Sequence, residues 1–149
     1  PIGSVRPDVT CVQETDMRPA VESFFLSQGY LSFPEAPFRQ KRIDLLFVYA
    51  NFPRMIAVEL KVKDWRCALR QAVLDKFCAH NVYVAIWHRF FPKIDPEPFR
   101  HYGIGVLEVG CDHVVERIAP RRCHSGLTYS MKKMLTYVKE NSDRDLVWC

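Results

Sequence analysis

Apolar residues recur along this chain in two periods, and the switches between them mark its elements. From Met17 to Gln28 the spacing is helical, with Met17, Val21, Phe24 and Phe25 on one face. Asp16 reads as the N-cap, Pro19 is tolerable in the first turn, and Gly29 stops the run. Pro34 and Pro37 bracket a short connection with room for an edge strand. Two strand-like runs follow. Arg42 to Tyr49 is apolar with a single acid, Asp44, inside it, and Arg54 to Lys63 alternates cleanly after Ala57. Asn51-Phe52-Pro53 between them predicts a hairpin turn.

Helical spacing returns after Asp64, a candidate cap. From Trp65 to His80 it places Trp65, Leu69, Ala72, Val73 and Phe77 on one side. Val82 to Trp87 is a further apolar strand. A Pro-rich connection runs from Phe91 to Phe99, and Gly103–Val109 and Val114–Ile118 predict a strand pair. A last amphipathic helix over Gly126–Asn141 carries Met131, Met134, Leu135 and Val138 on its apolar side. Strand, helix and strand from Met55 to Trp87 predict a right-handed parallel crossover. With no repeat or linker in view, the whole reads as one α/β domain over 1–149, its first part, 1–15, an irregular N-terminal segment.

Composition fits that picture. The chain has 149 residues, enough for one core, with 48% hydrophobic and 26% charged residues. The net charge of +4 permits a nucleic-acid partner without requiring one. No run approaches the roughly 20 apolar residues that span a bilayer, and no secretory signal pattern opens the sequence, so a cytoplasmic protein with no membrane partner is expected. The six cysteines form no C-x-x-C pair and read as reduced packing thiols. Cys111, His113, Cys123 and His124 match no usual zinc spacing.

The chemistry concentrates on two neighbouring strands. Glu59 and Lys61 lie two apart, so their side chains share one face, while Val58, Leu60 and Val62 point the other way. One hairpin register brings Asp44 beside Glu59. Two carboxylates suit a hard divalent cation, and the Leu60 carbonyl would add an oxygen. A lysine beside such an ion would orient an attacking water or stabilise charge on a phosphate. The same alternation also describes a half-exposed strand carrying a solvated salt bridge. Nothing resembles a Ser or Cys nucleophile with its base.

Ile43-Asp44-Leu45 followed by Ala57-Val58-Glu59-Leu60-Lys61 resembles the acid and E-x-K parts of the PD-(D/E)XK nuclease superfamily. The order of helix, strands, helix and strand from about Met17 to Ile118 resembles its core, and Phe99–Val109 looks like the late Gly-rich strand of small bacterial and archaeal members. The resemblance implies a restriction-endonuclease-like αβββαβ fold, a central mixed sheet flanked by helices. It implies a Mg2+- or Mn2+-dependent deoxyribonuclease in which Asp44 and Glu59 bind the metal and Lys61 is the catalytic lysine. Glu22 stands where some branches carry an extra acid. Gln71 resembles the Gln of a Q-x-x-x-Y motif, although Asp75 replaces the Tyr, and Ile43 stands where a Pro would precede the first acid. Lys63, Arg66 and Arg70 form a basic stripe, with Arg42 in a second cluster beside Arg39 and Lys41; these are the expected DNA contacts. A homodimer would suit cutting of both strands. The competing expectations are a nuclease-fold DNA- or protein-binding module with little or no cleavage, and a domain whose charged strand is structural.

Overall fold

The computed structural model describes residues 12–143 and residue 146. Most of the expected irregular segment 1–15 therefore lies outside the described residues. The part that is described turns helical early: α1 spans Glu14–Leu26, with Gln13 as its N-cap and Asp16 inside its first turn, where its carboxylate accepts the Gln13 N–H at 2.8 Å. The strands are β1 (Tyr30–Phe38), β2 (Lys41–Tyr49) and β3 (Met55–Lys61). They lead into α2 (Trp65–Asp75), β4 (Asn81–Trp87), α3 (Pro96–Tyr102), β5 (Gly105–Val109), β6 (Val114–Ile118) and α4 (Tyr129–Asn141).

The six strands form one mixed sheet in chain order, β1-β2-β3-β4-β5-β6. β1, β2 and β3 pair antiparallel, β3, β4 and β5 pair parallel, and β6 returns antiparallel on β5. The expected parallel pairing of the strands joined through α2 is present. Three local expectations change. β1 is a full strand in spite of Pro34 and Pro37: it is the edge strand, paired with β2 on one side only, where proline is tolerated. The Pro-rich connection contains α3: the Asp95 side chain accepts the Glu97 N–H, Pro96 needs no donor at the first position, and Gly103 closes the helix with a left-handed φ of 72°. α2 ends at Asp75 rather than His80, which leaves Phe77 51% exposed.

Apolar faces explain the layers. Met17, Val21 and Phe25 of α1 cover one sheet face with Leu45, Phe47, Val58 and Leu60. On the other face α2, α3 and α4 bury Trp65, Ala68, Leu69, Ala72, Phe99 and Met131 against Leu46, Ala57, Val84 and Val106. Among the described residues no helix is long and apolar enough to cross a membrane. Gly105 marks a close approach: a Cβ there would lie 2.7 Å from the Tyr83 ring and 2.9 Å from Pro120. Gly105→Ala is expected to cost about 1–3 kcal/mol through overpacking, read as a lower urea midpoint with an unchanged slope.

Candidate active site

β2 and β3 pair from Val48↔Met55 to Leu45↔Val58. The next positions are Asp44 and Glu59. Here the ladder gives way to a side chain: the Asp44 carboxylate, through Oδ2, accepts the Leu60 N–H at 2.7 Å. On β1, Glu35 lies opposite Asp44 and has a left-handed φ of 55°, which interrupts pairing on that side as well. Asp44 thus sits where β2 loosens from both neighbours, half-exposed, while Glu59 is 1% exposed.

Alternation puts Glu59 on the α2 side of the sheet, because Val58 and Leu60 pack under α1 and Ala57 packs toward α2. There it meets Lys41, expected in a basic surface cluster, and Asp75, which stands where the motif would have a Tyr. Lys41, the first residue of β2, donates from Nζ to Glu59 Oε2 at 2.7 Å and to Asp75 Oδ1 at 2.7 Å. Asp75 is the last residue of α2 and is fully buried, and its Oδ2 has no hydrogen-bond partner.

Burial is the main force on these groups. It pushes the Asp44 carboxyl up to about 7, helped by the charge of Glu59 and opposed by the Leu60 N–H. Burial also raises Glu59, with Asp75 adding to the shift and Lys41 resisting it. Asp75 is raised by burial too, against the pull of Glu59 and Lys41. Burial alone would depress Lys41, but the two acids overcome it and hold the ammonium above its ordinary range. Three acids against one ammonium leave two negative charges when all are ionised, more than a low-dielectric pocket accepts. One divalent cation would balance that charge. Among the described residues, however, no group of three or more His, Cys, Asp or Glu side chains is gathered as a metal cage, and Lys41 fills the gap between Glu59 and Asp75. The pair left to offer oxygen to an added ion is Asp44 with Glu59; Leu60 meets Asp44 through its N–H, a donor, rather than through the carbonyl oxygen expected as a ligand.

The other expected residues are dispersed. Lys61 follows Glu59 on the same strand and borders a cleft of about 680 Å³ at the C-terminal ends of β3 and β4, with Lys63, Asp64, Trp87, Arg89 and the start of α1. That cleft lies beside the carboxylates rather than over them, and Lys61 is the link. Glu22 is not brought to the site: its Oε2 accepts the Ser32 hydroxyl at 2.6 Å. Ser32 pairs with Phe47, so this contact lies on the α1 face, opposite Glu59. Gln71 is half-buried on α2, one turn before Asp75. Arg66 stacks over Trp65 at 4.3 Å and lines a groove with Arg70, apart from Lys63. Arg42 Nη1 donates to the Glu35 carbonyl at 3.1 Å. Cys111 and His113 stand at the β5–β6 turn, while His124 lies 2.7 Å from the Lys76 carbonyl. Cys67, Cys78, Cys111 and Cys123 are free thiols; Cys78 is buried as the packing role requires, whereas Cys111 is exposed; Cys11 and Cys149 lie outside the described residues.

No protein-family model matches the chain, and no curated protein matches it. Among solved structures, the chain is similar to the SPO1766 protein of unknown function from Silicibacter pomeroyi. That match has 16% identity and a TM-score of 0.64, over 85% of this chain and 84% of that one. It supports a shared α/β fold. A second structure, Pyrococcus furiosus SfsA in complex with Ca2+, aligns over 68% of this chain and 59% of its own, with 12% identity and a TM-score of 0.39, too remote to carry an argument.

Proposed function

We propose that this protein is a metal-dependent deoxyribonuclease with a restriction-endonuclease-like fold. One observation carries the reading: Asp44 and Glu59 meet where β2 and β3 part, with Lys61 next on the same face at the mouth of a cleft bearing Lys63 and Arg89. Asp44 and Glu59 would hold Mg2+ or Mn2+, which when bound supplies Lewis acidity and neutralises charge at a phosphodiester. Lys61 would place its ammonium against the phosphate oxygens and orient the attacking water. Lys63 borders the cleft next to Lys61, while Arg66, Arg70 and Arg42 are exposed elsewhere; each would contact the DNA backbone where it passes them. A second copy would supply the second cut of a duplex.

A second reading, a DNA-binding module of the same fold without cleavage, is favoured by one feature: the Lys41 ammonium already neutralises part of Glu59. Plasmid nicking separates the two. With Mg2+ or Mn2+ the wild-type protein is expected to nick supercoiled DNA, and Lys61→Ala to do so about a hundredfold more slowly. A salt-dependent mobility shift with no product at any metal concentration would favour the module.

A further inference from the structure

Resting on the reading of Asp44 and Glu59 as cation ligands, we propose that Lys41 and Asp75 form an internal ion pair whose task is to position Glu59. Lys41 Nζ grips one oxygen of Glu59 and one of Asp75, each at 2.7 Å. Holding one oxygen in this way restrains the terminal torsion of Glu59, whose side chain is also within hydrogen-bonding reach of Asp44. The pair comes from elements far apart in the chain, the start of β2 and the end of α2, and converges on β3.

A purely structural role accounts poorly for it. The buried face of α2 is otherwise Trp65, Ala68, Leu69 and Ala72, and an apolar residue at 75 would continue it without desolvating a charge. Asp75 instead leaves Oδ2 buried and unpartnered. Buried ionic groups are costly, and this cost falls on the two residues that meet Glu59. As a pair Lys41 and Asp75 are neutral, so the net charge offered by Asp44 and Glu59 is the same with or without them. They are positioning residues; they would touch neither metal nor substrate.

The test uses Ca2+ as a binding probe, with calorimetry as the readout. The double variant Lys41→Met with Asp75→Leu keeps the net charge and fills the space with apolar atoms. It is expected to fold, by circular dichroism and a cooperative melt, and to bind Ca2+ at least tenfold more weakly than the wild type. Binding within twofold of wild type overturns the positioning role while leaving the cation site standing. Absence of a Ca2+ site in the wild type overturns both. Should the double variant not fold, the wild type decides by nitrogen NMR of its lysine side chains. A Lys41 ammonium signal that persists at saturating Mg2+ supports a fixed anchor, and its loss on adding Mg2+ shows a displaceable place-holder and overturns the proposal.

Discussion

Asp44→Asn is expected to make the metal-free protein more stable at pH 8 while weakening divalent-cation binding about a hundredfold, close to 2.8 kcal/mol. The two effects run in opposite directions for one reason. Asp44 is buried enough to hold its carboxyl at about 7, so at pH 8 it is largely ionised beside Glu59 at a cost to the fold. Asn removes that charge but keeps an oxygen for the Leu60 N–H, the one bond Asp44 gives the strand. Discounted for the solvent that reaches a half-exposed group, the relief is about 1–2 kcal/mol, or roughly 3–6 °C in a domain of this size. The lost charge was one of two offered to the ion, so binding weakens and nicking is expected to fall by about a thousandfold. An acid serving the fold alone would show the reverse: a lower melting temperature and unaltered calcium or magnesium binding. Differential scanning fluorimetry and calorimetry on the same samples distinguish the two patterns.

Local pattern made one half of this site visible and concealed the other. Asp44 and Glu59 stand out because each interrupts an apolar strand, and a two-residue period fixes the face of Glu59 from its neighbours alone. Lys41 and Asp75 carry no such mark. Lys41 sits between Arg39 and Arg42 and reads as surface charge, yet its partners are 18 and 34 residues away. Only the closing of β2 onto β3 and the packing of α2 bring them together. Asp75 did leave a trace: it follows Ala68 by seven residues and Ala72 by three, which continues the buried stripe of α2. The expected stripe ran on to Phe77, which assumed a longer helix. Because the helix ends at Asp75, the acid is buried and the aromatic is not. The same limit applies to the fold. Element types in the strongly periodic stretches were readable, whereas β1 and α3 were obscured by proline, whose meaning depends on whether a neighbour needs the missing N–H. Glu22 has a suitable place in the order of elements, but a helix position does not say which face of the sheet the helix will cover.

Cation affinity should rise steeply with pH, and metal-free stability should fall over the same range. Asp44, Glu59 and Asp75 are all raised above the ordinary carboxylate range, chiefly by burial. An incoming ion must therefore displace protons. A proton displaced tightens binding about tenfold per pH unit below the carboxyl's pKa, so Asp44, at about 7, gives roughly a tenfold gain between pH 6 and 8, to which the more strongly raised Glu59 adds. The sign for stability follows from the same shift. A carboxyl with a higher pKa folded than unfolded binds more protons in the folded state, so its contribution is full below about 4 and is lost as pH rises through about 7. His80 acts oppositely at the acid end. Burial, then Arg122, lowers its pKa, and its Nδ1 accepts the Met55 N–H, so stability declines as pH drops below about 6.5. With three such acids against one imidazole, the loss above pH 4 outweighs the His80 gain, so the metal-free protein should melt highest near pH 4, to within about a unit, and progressively lower toward pH 9. Saturating Mg2+ should abolish the alkaline decline, because the ion replaces the protons that held the acids together. A melting temperature that falls equally with and without Mg2+ would mean that no cation enters between Asp44 and Glu59, and that Lys41 alone supplies the positive charge these acids require.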